Sequence, residues 1–118
     1  FLALHVDMAA DMGAYLSANG PGCPTTAFST AVGGAYAIPV IRLEVTGAVT
    51  NTAPTDAYRG AGKPEANYLT ERLIEAAARQ TGIDAVELRR RNVMRQFPTV
   101  SALGMEIDTG RQGENIEA

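Results

Sequence analysis

Between Thr50 and Glu65 the chain carries Arg59, Gly60 and Gly62 in a run that joins an apolar, strand-like segment to a helix-like one. Arg59 offers a fixed positive charge, and the glycines allow main-chain N–H groups to approach a ligand closely. The helix beyond them adds the positive end of its dipole. Those three kinds of donor converge on an anion. Taken alone, Arg59 reads more readily as a surface loop arginine and the glycines as ordinary turn glycines, and it is the surrounding register that reverses this preference. The loop contains no Gly-x-x-x-x-Gly-Lys-Ser/Thr pattern, which argues against nucleoside triphosphate hydrolysis.

Other candidate groups are fewer. A single cysteine, Cys23, and a single histidine, His5, leave no set of Cys and His ligands for a protein-built zinc site and no internal disulfide. No metal ligand and no catalytic residue is assigned. His5 falls on the polar side of a strand pattern, solvated or interfacial, and Cys23 in a Pro/Gly-rich stretch is read as neutral. Arg89, Arg90 and Arg91 end a helical pattern, where they satisfy carbonyls or pair with Glu75 or Glu87; phosphate binding is the lesser alternative.

The elements that must position Arg59 follow from periodicity. Leu2, Leu4, Val6 and Met8 alternate with Ala3, His5 and Asp7, the pattern of a half-buried strand over 1–8. Residues 19–25, dense in Gly and Pro, read as a loop, and Thr26 to Val32 as a short helix stopped at Gly33-Gly34. Val40 to Asn51 is rich in β-branched residues and reads as a second strand, with Gly47 marking a bulge. Pro64 suits the first helical position, and Ala66, Leu69, Leu73, Ile74 and Ala77 recur at helical spacing up to the stop at Gly82. Leu69, Leu73 and Ile74 are assigned to the core. Asp84 caps a second helix that runs to Asn92, with Glu87 placed to bond back and Ile83 to staple onto Leu88. Val93 to Leu103 reads as irregular, Gly104 to Asp108 as a short strand, and Gly110 to Gly113 as the lead into a terminal helical turn.

The expected class is therefore α/β (α+β): strands followed by two consecutive helices on an incomplete sheet. A single domain, or a fragment of one, is divided into a strand and loop segment 1–51, a ligand-facing loop 52–63, a helical segment 64–92 and an irregular tail 93–118. With 46% apolar and 19% charged residues the composition is that of a globular chain, and a net charge of -3 gives no footprint for nucleic acid. No apolar run approaches the roughly 20 residues of a membrane span, and the lone cysteine points to a reducing, cytoplasmic setting. The incomplete core predicts a section of a longer chain whose exposed strand edge favours self-association in isolation. It also motivates a second reading, a non-catalytic interaction module whose helices pack on a partner sheet.

The ordered combination of Thr50-Asn51-Thr52-Ala53-Pro54-Thr55-Asp56-Ala57-Tyr58-Arg59-Gly60-Ala61-Gly62-Lys63-Pro64-Glu65-Ala66 with Glu71-Arg72-Leu73-Ile74, Gly82-Ile83-Asp84 and Leu88-Arg89-Arg90-Arg91-Asn92 resembles one family. That family is the molybdopterin-binding large subunits of the xanthine dehydrogenase, aldehyde oxidase and carbon monoxide dehydrogenase superfamily. The resemblance is concentrated in 50–92, extends to Phe1 and thins after Val93.

The resemblance implies a molybdenum–pterin cofactor, in its cytosine dinucleotide form, held by a much longer parent subunit. That subunit hydroxylates an aldehyde or an electron-poor aromatic carbon with oxygen from water, and passes electrons to iron–sulfur and flavin subunits or domains. By position, Ala57, Tyr58, Arg59, Gly60 and Gly62 would face the cofactor, and Arg59 and Ala61 the substrate. Carbon monoxide dehydrogenases of the family place a copper-holding cysteine directly after the loop arginine, where this chain has Gly60. Purine hydroxylases place a stacking phenylalanine where it has Ala61. Aldehydes or other small substrates are thus favoured over carbon monoxide and purines. The family's glutamate base and a separate Gly-Gly-Phe-Gly loop have no counterpart here, and Glu65, Glu71 and Glu75 belong to a structural helix pattern. The 118 residues alone are accordingly expected to bind no cofactor and turn over no substrate.

Overall fold

A computed structural model describes residues 1–108. The element order is β1 (Leu4–Asp11), β2 (Ile41–Ala48), α1 (Lys63–Thr81), α2 (Ala85–Asn92), β3 (Thr99–Val100) and β4 (Glu106–Ile107). The partner that the first strand requires is β2. The two run parallel from Leu4 opposite Ile41 to Asp11 opposite Ala48, without interruption. A parallel pair needs a long crossover, and residues 12–40 supply it.

The alternation reads directly onto the sheet. Leu4, Val6 and Met8, with Ile41, Leu43 and Val45, turn towards the helices, while His5, Asp7, Arg42, Glu44 and Thr46 are exposed on the other face. The unbroken register excludes the bulge expected at Gly47, which simply lies opposite Ala10. Both strands are also displaced from their expected bounds, β1 towards its carboxyl end and β2 shortened at both ends.

The crossover corrects a second expectation. Residues 19–25 form regular turns, a 3-10 turn Gly20–Gly22 followed by a π-helical turn Cys23–Ala27. Pro21 and Pro24 sit in the first turns, where a missing N–H costs no internal bond. Hydroxyls then bridge back to carbonyls, Thr25 Oγ1 to Pro21 O at 2.6 Å and Thr30 Oγ1 to Ala27 O at 2.7 Å. The predicted helix thus starts earlier than Thr26, and it presents Phe28, the most deeply buried large side chain, to β1 and α1.

Helix α1 ties the core together. Its buried row is Ala66, Thr70, Ile74 and Ala78, one residue per turn. Ala66 packs with Val6, Phe28 and Val32, whereas Ile74 and Ala78 pack with Tyr36, Ile38 and Leu88. Thr70 is buried but satisfied: Oγ1 donates to Ala66 O at 2.9 Å and accepts from Gly33 N at 3.2 Å. The small residues in this row allow close approach, which moves Leu73 off the core line. Leu73, about 100° around the helix from Ile74, is 46% exposed, and Leu69 and Ala77 are half-buried. Leu73 is therefore not a core residue.

Helix α2 is fastened to α1 by charge. Arg89 donates from Nε to Glu71 at 2.9 Å and from Nη2 to Glu75 at 2.8 Å, and Tyr36 Oη donates to the other Glu71 oxygen at 2.7 Å. The bonds to Glu75 and Glu71 raise the Arg89 pKa above its ordinary value, and burial followed by the Glu71 bond pushes Tyr36 up to about 12. Arg91 bonds Glu87 at 2.7 Å, so the Glu87 carboxylate is engaged along α2 and not, as expected, with the cap. Asp84 does cap, accepting from Glu87 N at 3.0 Å, and Ile83 packs on the cluster containing Leu88. Asp84→Ala is expected to cost about 1 kcal/mol, read from chemical unfolding of variant and wild type.

Beyond α2, Tyr36 and Val93 form a bridge, and β3 pairs with β4 in a short antiparallel hairpin whose first strand lies inside the stretch expected to be irregular. The helical turn expected after Gly110 lies outside the described residues.

Candidate functional site

Parallel strands deliver their carboxyl ends to one side, and ligands of open α/β sheets bind outside those ends. Here β1 and β2 end on the same rung, Asp11 opposite Ala48. Their exits stay side by side: Met12 N donates to Ala48 O at 2.8 Å, Thr50 N to Gly13 O at 3.0 Å and Ala14 N to Thr52 O at 3.0 Å. The Asp11 carboxylate sits between them. It accepts from Gly13 N at 2.9 Å, Thr50 Oγ1 at 2.6 Å and Thr52 Oγ1 at 3.2 Å. Thr55 closes the stem, with Oγ1 donating to Asp11 O at 2.7 Å and its amide to Met12 O at 3.3 Å. Ser17 Oγ then donates to Thr55 O at 3.2 Å.

The Thr50 hydroxyl first, then the Gly13 amide, hold the Asp11 carboxyl below its usual pKa. A depressed carboxylate pKa contributes stability that is fully present above the unfolded-state value and is lost as pH falls through the folded one. Acid is therefore expected to loosen the 50–55 stem in the wild type, while Asp11→Asn removes that pH dependence. Amide exchange of Thr50 and Thr55 measured down an acid titration checks it.

The second anchor lies at Gly62. This residue is buried, has φ +80° and caps α1. A Cβ there would stand 1.9 Å from Cys23 O, so the loop lies backbone against backbone on the π-helical turn. The opposite end shows the same close approach, since a Cβ on Gly13 would meet Ala53 O at 2.3 Å. Between the anchors, Ala61 N donates to Tyr58 O at 2.7 Å and Lys63 N to Gly60 O at 3.1 Å, folding 58–61 into a tight turn.

The structure places the expected site residues on this one turn. Ala57, Tyr58, Arg59 and Gly60 are exposed, Tyr58 by 87%; Ala61 is half-buried and Gly62 buried. The Arg59 guanidinium has no hydrogen bond or ion pair among the described residues. The same is true of the main-chain amides of Tyr58, Arg59 and Gly60. Three amides without a protein partner on exposed residues, beside a cation without one, fit an anionic, phosphate-bearing group. Gly62 rests on Cys23 on the side where a Cβ would stand, which fixes the end of the loop. Among the described residues no three His, Cys, Asp or Glu side chains converge as metal ligands. Two grooves lie away from the loop, one of about 290 Å³ beside Phe1, Ala3 and Leu73 and one beside Tyr36, Pro39 and Val100.

Asp11, Gly13, Ser17 and Thr55 were not among the expected site residues. The available signal was Asp11-Met12-Gly13, a carboxylate followed two positions later by glycine, but ending the first strand at Met8 separated it from the loop it supports.

A family model described as the molybdopterin cofactor-binding domain matches residues 1–93. The nicotine 6-hydroxylase large subunit of Paenarthrobacter nicotinovorans is 38% identical over 96 residues, which cover 81% of this chain and 12% of that protein. The carbon monoxide dehydrogenase large chain of Hydrogenophaga pseudoflava is 35% identical over 113 residues, covering 92% of this chain and 14% of that one. Among solved structures, quinoline 2-oxidoreductase from Pseudomonas putida 86 superposes with a TM-score of 0.83 at 34% identity, over 99% of this chain and 15% of that one. The chain thus spans about one seventh or less of the length of these relatives.

Proposed function

This chain belongs to the molybdopterin cofactor-binding family of the molybdenum hydroxylase large subunits, and from that premise we propose that its 57–60 turn is the region of the parent subunit that faces the cofactor. The observation that carries this reading is the unpaired Arg59 guanidinium beside the free amides of Tyr58, Arg59 and Gly60, at the carboxyl end of a parallel strand pair. When bound, the molybdenum–pterin group supplies oxygen transfer from water and accepts two electrons. The contribution of this chain is electrostatic: Arg59 and the unbonded amides of the turn hold negative charge in place, and the anchors at Thr55 and Gly62 keep that turn from relaxing.

The parent is proposed to be an oxidoreductase that hydroxylates an aldehyde or a similar small substrate, handing electrons to iron–sulfur and flavin partners in the cytoplasm. Gly60 in place of the copper-holding cysteine argues against carbon monoxide, and Ala61 in place of a stacking phenylalanine argues against purines. The names of the nicotine and quinoline relatives favour a second substrate class, an electron-poor N-heteroaromatic ring. The cofactor is proposed in its cytosine dinucleotide form, and the 118 residues alone are proposed to be inactive, because the catalytic base lies in other polypeptide. No helix among the described residues is long and apolar enough to cross a membrane.

Expression of the complete subunit in a host that makes the cofactor tests the reading. Stoichiometric molybdenum and pterin are expected, with release of a cytidine nucleotide on acid hydrolysis. A folded product without molybdenum and pterin overturns it and leaves the non-catalytic interaction module. Assay with an aldehyde series against an N-heteroaromatic series separates the two substrate classes.

A further inference from the structure

The turn 56–60 is exposed throughout and contributes no side chain to either core cluster, so polar bonds at its stem do much to fix it. Most of those bonds meet at one residue, whose carboxylate accepts from Gly13, Thr50 and Thr52 and whose main-chain carbonyl accepts from Thr55. We propose that Asp11 is the positioning residue of the loop that carries Arg59; this rests on the cofactor-facing role of that loop. Asp11 does not reach the ligand. It sets where Arg59 stands.

The geometry supports this in three ways. First, Asp11 is the last residue of β1 and lies opposite the last residue of β2, so it sits where both strands release their loops. Second, its two carboxylate oxygens and its carbonyl together accept from Gly13, Thr50, Thr52 and Thr55, which binds the 12–14 exit to the 50–55 stem. A serine hydroxyl or an asparagine amide offers fewer acceptor sites than the roughly four of an ionised carboxylate. Third, the stem is continuous with the turn: Gly60 lies five positions beyond Thr55, and the far anchor at Gly62 is locked against Cys23 O. With Gly62 held against Cys23, loss of the Asp11 carboxylate frees Thr50 and Thr52 and leaves Thr55, bonded through main-chain carbonyls, as the remaining hold on the near end of the turn. A displacement of about 1 Å at a charged group is enough to cost up to about a hundredfold in rate.

The experiment uses the complete holoenzyme and compares Asp11→Ala, Asp11→Asn and Thr50→Val. Readouts are molybdenum content, kcat and KM, and hydrogen exchange of peptides covering 49–62. Asp11→Ala is expected to speed exchange over 50–55 about tenfold and to lower kcat about tenfold with little change in KM. Asp11→Asn keeps an oxygen acceptor for the Gly13 amide and the Thr50 hydroxyl, and is expected to recover most of both. Thr50→Val, which removes one bond to the same carboxylate, is expected to show a smaller change in the same direction and decides the matter if Asp11→Ala does not fold. Wild-type exchange in Asp11→Ala, unchanged kcat despite faster exchange, or an Asp11→Asn enzyme no better than Asp11→Ala each overturns the proposal. Failure of the underlying reading looks different: Arg59→Ala then turns over at the wild-type rate with full molybdenum, whatever Asp11 variants do to the loop.

Discussion

Arg59→Ala in the complete parent subunit is expected, on the proposed function, to lower turnover about a hundredfold, corresponding to about 3 kcal/mol of lost transition-state stabilisation. The unfolding midpoint should hardly move, because the side chain is exposed and bonds nothing among the described residues. A stability contribution requires a native interaction to lose, and among the described residues Arg59 makes no hydrogen bond or ion pair. A catalytic contribution requires only that a charge be held in advance where negative charge develops. Steady-state kinetics with thermal unfolding of the same preparations checks both halves. Wild-type turnover in the variant removes Arg59 from the site, and a large drop in midpoint with proportionate loss of activity makes it a structural residue. Arg59→Lys keeps the charge but not the planar fork, so partial recovery is expected.

Gly62→Ala is expected to have the opposite profile, a loss of about 3 kcal/mol or more in folding stability. Two costs combine. The backbone at φ +80° disfavours any Cβ, and that Cβ would lie 1.9 Å from Cys23 O, so either α1 or the π-helical turn must move. Gly82 provides the internal control. It has φ +71° at the other end of the same helix with nothing within 4 Å of a built Cβ, so Gly82→Ala should cost only the conformational part, about 1–2 kcal/mol. Equal losses in the two variants, read by denaturant unfolding, would mean that the Cys23 contact relaxes freely.

Much of this was legible in residue order because it is local. Periodicity located both long strands and both helices, and the stop at Gly82 and the cap at Asp84 stand where their side chains and conformations require. The loop between Thr50 and Gly62 was identified from residue types and their order. Other expectations failed, some for local reasons and some because distant contacts took over. The turns at 20–27 formed despite their glycines and prolines because hydroxyls and helix-compatible Pro positions satisfied the backbone. Leu73 lost its core place because the small residues Ala66, Thr70 and Ala78 brought the helix close along a neighbouring row. Gly47 stayed in register because Ala10 faces it on an unbroken parallel ladder.

Residue order was sufficient to say which long segments are strand and helix, where α1 and α2 begin and stop, and which loop carries an arginine beside glycines. Each of these depends on residues within a turn or two of one another. It took the assembled fold to bring β1 and β2 to an end on the same rung, to let Asp11 gather Thr50 and Thr52 from 39 and 41 residues away, and to rest Gly62 on Cys23. Those contacts join segments brought together by the parallel crossover, and no local propensity encodes a hydrogen bond whose two ends meet only after the sheet has formed.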